Sequence, residues 1–163
     1  MTMHSTVFEL ASRPIPADQQ ATPGYLPDWF FGSVADYAAR MSTEEREESI
    51  AALAKHLGHA CTRRENRLTL LPQFKQSYFQ ENHRYFKAAA EALSETDYET
   101  FAGMTPAPAF YLALNGLQES YEDKRGFYVY SRDENKLLPL DSWLRRADLS
   151  KPFFVGGTID YHC

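Results

Sequence analysis

The chain has 163 residues, of which 44% are apolar and 24% are charged. This length suffices for one well-buried core and is slightly short for two, so we expect a single domain over residues 1–163. The 11 Phe, 10 Tyr and 2 Trp residues exclude a disordered chain, which could not bury so much ring surface. A formal charge of −5 excludes a general nucleic-acid binder, because such affinity rests on Lys and Arg side chains that neutralise phosphates.

The cysteines and the apolar runs indicate where the protein works. Cys61 and Cys163 are the only cysteines and lie about a hundred residues apart, which does not fit the disulfide framework of a small secreted domain. The first 30 residues lack a basic start followed by an apolar run, and no apolar stretch approaches the roughly 20 residues that span a bilayer. We therefore expect a soluble, cytoplasmic protein that does not bind membranes.

The first half of the chain is predicted to be mainly helical. Ser42 and Glu45 form a capping box, glutamates fill the first turns that follow, and Gly58 fits a C-terminal cap. Apolar residues at helical spacing after Asp28 predict a helix with Asp28 as its N-cap. In chain order we expect a strand at 5–11, a proline-rich surface segment to 27, helices at 28–40 and 42–57, and a hairpin with arms at 60–62 and 67–71.

The second half is predicted to end in strands. Pro72 suits the first turn of a long helix that reaches about Glu95, and the prolines within 104–108 place any subdomain boundary there. The stretch 109–122 is ambiguous, because its apolar spacing favours a helix while Asn115-Gly116 is a hairpin signal; we favour the helix. Strands at 126–131, 136–140 and 153–160 follow, with a short helix capped by Asp141 before the last of them.

These elements predict an α+β fold. A helix-rich N-terminal two-thirds would pack against a small, mostly antiparallel sheet formed largely by the C-terminal third. The run Val155-Gly156-Gly157-Thr158 does not lead into a helix, so we expect a β-bulge or a close backbone approach there and no phosphate loop.

The segment KRGFYVYS (124–131) begins like the stacking strand of an RNA-recognition fold. That strand needs two rings on one face, whereas here Phe127 and Val129 share one face and Tyr128 and Tyr130 share the other. The segment therefore predicts a sheet strand, and the tyrosine face is a candidate contact surface.

Two groups of residues contain the atom types that catalysis or metal binding needs. His56, His59 and Cys61 are closely spaced, but a structural zinc site needs four ligands and no second pair follows at a suitable distance. Asp160 and His162 lie on one face of an extended chain and could orient an imidazole toward Cys61. Nothing around Cys61 resembles the sharp turn or helix start that usually holds a nucleophile. The sequence therefore favours a protein that is not an enzyme and binds no cofactor.

The runs WFFGSVADY (29–37), YEDKRGFYVYS (121–131) and VGGTIDYHC (155–163) resemble uncharacterised bacterial proteins of the kind carried on mobile genetic elements. The resemblance supplies no catalytic residues. It implies an accessory role that involves another macromolecule, such as interference with a host defence protein.

Our leading hypothesis is a non-enzymatic interaction module that binds an unknown protein partner as a monomer or homodimer. The proposed contact residues are Trp29, Tyr128 and Tyr130, because tyrosine and tryptophan suit interfaces. The first alternative is a small thiol- or metal-assisted hydrolase that uses His59, Cys61 and His162. The second is an acidic DNA mimic or host-defence interference protein, which would need its carboxylates along one ridge.

Overall fold

A computed structural model describes residues 3–163 and shows a mixed α/β fold with 43% helix and 24% strand. Seven strands form one mostly antiparallel sheet, and strands from both the N-terminal and the C-terminal regions contribute to it. The prediction of a small sheet built largely by the C-terminal third was therefore wrong. Four of the seven strands precede residue 71: the strand and the two hairpin arms that the sequence predicts, and Tyr37–Arg40, which lies in the predicted helix over 28–40.

The strands are β1 (His4–Ala11), β2 (Tyr37–Arg40), β3 (Cys61–Arg64), β4 (Arg67–Leu70), β5 (Tyr128–Ser131), β6 (Lys136–Pro139) and β7 (Phe153–His162). Their order in the sheet is β3-β4-β7-β1-β5-β6, and only β1 and β5 pair in parallel. The strand β2 also pairs with β7, on Ile159 to His162, while β4 pairs with Phe153 and Phe154. The central pair β1/β7 thus supports the rest of the sheet.

The helices are α1 (Phe30–Ser33), α2 (Thr43–Leu57), α3 (Phe74–Tyr78), α4 (Gln80–Ser94), α5 (Tyr98–Phe101), α6 (Pro108–Tyr121) and α7 (Leu140–Arg146). The structure confirms the capping box of α2, in which Ser42 and Glu45 bond each other's backbone N–H groups, and the cap at Gly58. It also confirms α6, so the signal at Asn115-Gly116 does not produce a hairpin. Within 3–163, no helix is both long and apolar enough to cross a bilayer.

The predicted helix over 28–40 was wrong. Only the short segment Phe30–Ser33 remains of it, and Phe31, with a ψ of 127°, and Gly32, with a left-handed φ of 92°, interrupt even this turn. The following residues pair instead with the edge of β7 as β2, so tertiary hydrogen bonds override the local helical spacing. The long helix expected from Pro72 is divided at Phe79 into α3 and α4.

The two faces of the sheet carry separate apolar cores. On the helix face, α2 and α7 cover Phe8, Leu10, Val129 and Val155. On the loop face, the segment 12–35 covers Val7, Tyr128, Tyr130, Ile159 and Tyr161 and contributes Phe30. The predicted proline-rich surface segment therefore closes one of the two cores.

A β-bulge in β7 confirms the expectation for the Gly-Gly run. Phe8 pairs with Thr158 and Leu10 with Val155, so Gly156 and Gly157 together oppose the single residue Glu9. A Cβ atom on Gly157 would overlap the carbonyl oxygen of Ala21, and one on Gly156 would overlap the Glu9 carboxylate. Glycine is required at both positions because backbone and side chain approach so closely.

Buried Glu9 joins this bulge to the segment that covers the loop face. Its Oε1 accepts hydrogen bonds from the backbone N–H groups of Ala21 and Gly157, each with an N···O distance of 2.8 Å. Its Oε2 lies 2.9 Å from Nη1 of Arg132. The carboxylate is 1% exposed and satisfied by these three donors. It therefore fixes the path of the chain around residue 21.

Candidate functional site

A helical hairpin formed by α4, α5 and α6 stands apart from the sheet. Its two long helices pack mainly against each other, and none of the three helices contains a buried residue. At its base, the guanidinium of Arg145 in α7 lies 4.9 Å from the ring of Phe79 and 4.0 Å from that of Tyr121. These cation–π contacts hold the hairpin to the rest of the protein.

The closing end of this hairpin exposes large apolar side chains. Tyr98 is 77% exposed, Phe101 is 74% exposed and Leu112 is 73% exposed. Five exposed large apolar side chains lie between residues 98 and 112, and we call them the hairpin tip: Tyr98, Phe101, Met104, Tyr111 and Leu112. Single exposed apolar residues are ordinary on protein surfaces, whereas five large ones within fifteen residues are a candidate binding surface.

The hairpin is acidic beyond its first two turns, which carry His83, Arg84 and Lys87. Residues 88–123 contain seven carboxylates and no Lys, Arg or His, so this segment is more negative than the chain as a whole. Four of the carboxylates surround the tip in sequence, at Glu91, Glu95, Asp97 and Glu99. A bond from the Thr100 N–H lowers the pKa of Asp97, so that carboxylate is charged at neutral pH. The tip therefore combines apolar rings with negative charge.

A polar cleft of about 720 Å³ opens on the helix face, beside the end of α2. The Tyr78 hydroxyl donates a 2.6 Å bond to Oδ1 of Asp141, and Nε2 of His56 lies 2.9 Å from the same hydroxyl oxygen. Because the hydroxyl proton is used on Asp141, the bond from His56 requires that Nε2 carry a proton. Burial, and then the Asp141 charge, raise the pKa of Tyr78. This chain of hydrogen bonds joins α2, α3 and α7.

The cleft also corrects the role expected for Asp141. The sequence predicts it as an N-terminal helix cap, but α7 begins at Leu140 and no side chain caps it. Asp141 is 8% exposed and turns toward Tyr78 instead. The sequence does not predict that Tyr78 and Asp141 meet, because their 63-residue separation carries no local signal.

Asp160 and His162 meet as the sequence suggests, but with His4 as their partner. Oδ2 of Asp160 lies 3.0 Å from Nε2 of His162 and 3.4 Å from Nδ1 of His4. Cys61 lies in β3, beyond β4 in the sheet, and packs against the helix-face core, where burial raises its thiol pKa. Within residues 3–163, no hydrogen bond or cluster of metal-binding atoms joins Cys61 to His162.

The remaining predicted residues fall into three environments. His56 and His59 line the polar cleft, and Cys61 does not. Tyr128 and Tyr130 are buried in the loop-face core, so neither ring presents a contact surface. Trp29 is half exposed and packs edge-on against Phe30, so it stays a candidate contact residue.

Comparisons of this chain with protein-family profiles, with curated proteins and with solved structures found no match.

Proposed function

We propose that this protein is a non-enzymatic interaction module that binds another protein through the hairpin tip. The observation that carries the proposal is the exposure of five large apolar side chains on a hairpin that packs mainly against itself. Aromatic residues and methionine are enriched at protein interfaces, and lysine is depleted, which is the composition of this segment.

The charge of the hairpin defines the partner's chemistry. The seven carboxylates of residues 88–123, with no basic residue among them, favour a partner whose apolar depression is surrounded by Lys and Arg. A second copy of this chain is a poorer partner, because a twofold axis through the tip would bring equal negative charges together. The resemblance described above adds the proposal that the partner is a host defence protein.

The apolar rings separate this proposal from DNA mimicry. A protein that imitates a phosphate backbone needs closely spaced charge and no aromatic contact surface. Here large rings alternate with carboxylates along the same segment. The tip therefore suits a single partner that both buries apolar surface and supplies positive charge.

We further propose that the protein works in the cytoplasm. Cys61 and Cys163 are both free thiols, and they pack against cores on opposite faces of the sheet. Thiols persist in the reducing conditions of that compartment.

Affinity capture with matched variants tests the interaction. The wild-type protein, Phe101→Glu, Leu112→Glu and Trp29→Ala serve as baits, and captured proteins are identified by mass spectrometry. We expect one protein with a basic surface to be lost from both tip variants and kept by Trp29→Ala. With purified components, each tip variant should weaken binding by at least about tenfold, as expected for a residue at an interface hot spot.

Three results would contradict the proposal. The captured protein could be lost only with Trp29→Ala, which would place the contact on the loop face. All baits could capture the same proteins, which would remove the tip from the interface. Light scattering could instead show a dimer of this chain that Phe101→Glu dissociates, which would make the tip a self-association surface.

A further inference from the structure

We propose that His4, Asp160 and His162 form a binding site for a divalent transition-metal ion, with Zn²⁺ as the expected ion. Among residues 3–163, these three side chains are the group whose ligand atoms all lie within 4.8 Å of one another. Two imidazoles and one carboxylate are the protein ligands of many zinc sites that keep one position open.

The backbone places the three ligands together. His4 in β1 pairs directly with His162 in β7, and Asp160 precedes His162 by two residues on the same face of the strand. The neighbouring pair, Met3 and Cys163, exchanges both backbone hydrogen bonds. His4 and His162 therefore form the non-hydrogen-bonded kind of pair, in which side chains are closest. Their ring centroids lie 3.9 Å apart.

The distances fit a metal ion as well as they fit hydrogen bonds. Zinc bonds of roughly 2.0–2.2 Å to nitrogen and oxygen place tetrahedral ligand atoms about 3.3 Å apart. Asp160 Oδ2 lies 3.0 Å from the nitrogen of His162 and 3.4 Å from that of His4. A neutral imidazole can carry its proton on the other ring nitrogen, so the facing nitrogens can present lone pairs to an ion.

The surroundings favour a cation with a free coordination position. His4 and Asp160 line a cavity of about 440 Å³ that Glu45 and Glu48 of α2 also line. These carboxylates make the local potential more negative. Cys163 packs against the loop-face core and does not supply a fourth ligand. The open position on the cavity side would then bind water or an oxygen atom of a small ligand.

The site is independent of the proposed interaction surface. Its ligands belong to the central strands β1 and β7, whereas the tip belongs to the hairpin 80–121. An ion here would join the first and last strands of the sheet, so binding should also raise thermal stability.

Zinc titration of the protein without an affinity tag tests the site, because a histidine tag would compete for the ion. We expect one Zn²⁺ per chain by native mass spectrometry. At a free Zn²⁺ concentration 100-fold above Kd, the melting temperature should rise by about 5–10 °C. Asp160→Asn, His162→Ala and His4→Ala should each weaken binding at least about tenfold in competition with a chromophoric chelator.

His59→Ala is the matched control, because His59 lines the neighbouring cleft but lies outside the cluster. It should bind Zn²⁺ with wild-type affinity. The side chain of His4 is 57% exposed, so His4→Ala should fold normally even if a β7 variant does not, and circular dichroism checks this. Wild-type affinity in His4→Ala, or equal losses in His4→Ala and His59→Ala, would overturn the proposal. A wild-type protein that binds no Zn²⁺ would overturn it as well.

Discussion

Replacement of Glu9 by alanine tests whether one buried carboxylate holds the loop-face cover in place. The change removes the acceptor of the N–H groups of Ala21 and Gly157, both of which are buried. A buried donor without a partner costs about 1–3 kcal/mol, so two of them cost about 4 kcal/mol. The side chain of Arg132 is 35% exposed and can turn to water, so the lost ion pair adds little.

For a chain of this size, about 4 kcal/mol corresponds to a fall in melting temperature of roughly 8–16 °C. Differential scanning calorimetry and urea unfolding of the two proteins measure it. Glu9→Gln should lose less, since its carbonyl oxygen can keep both N–H bonds while its amide group faces the Arg132 guanidinium. Glu48→Ala, at an exposed position on α2, is the control and should change stability by less than about 0.5 kcal/mol. A loss below about 1 kcal/mol in Glu9→Ala would refute the reasoning, because other contacts would then hold the segment.

The other predictions concern the bulge and the buried tyrosines. Gly157→Ala should destabilise the protein by about 2–3 kcal/mol in urea unfolding, because the new Cβ overlaps the Ala21 carbonyl oxygen. Gly116→Ala, in the middle of α6 with no atom within 4 Å of the added carbon, should instead stabilise it by about 0.5–1 kcal/mol; equal effects of the two changes would contradict the proposed close approach. Burial raises the pKa values of three tyrosines, Tyr78, Tyr128 and Tyr161, and that of Tyr128 rises to about 12. Their folded-state pKa values exceed the unfolded value near 10, so their contribution to stability should be complete below about pH 10 and be lost as the pH rises toward 12, as melting temperatures between pH 8 and 12 will show. A melting temperature that stays constant to pH 12 would contradict the burial of these hydroxyls.

Part of the candidate site could be predicted from the sequence, and part could not. Asp160 and His162 are two residues apart on a strand, so their common face follows from the period of β-structure. His4 became their partner only through the pairing of β1 with β7, across more than 150 residues. The tyrosine strand shows the opposite case, because alternation placed Tyr128 and Tyr130 on one face but could not tell that the segment 12–35 covers that face.

The sequence by itself determined the elements whose signals are local. The capping box at Ser42, the glycine cap at Gly58 and the hairpin of β3 and β4 all follow from backbone groups that are satisfied within a few residues. The tertiary structure decided the fold class and the residues that meet. Helical spacing in 28–40 lost to pairing with β7, because hydrogen bonds to a neighbouring strand outweigh a weak local preference. Only the tertiary structure shows that the apolar side chains of the hairpin tip are exposed, because the sequence does not tell which apolar residues the rest of the fold covers.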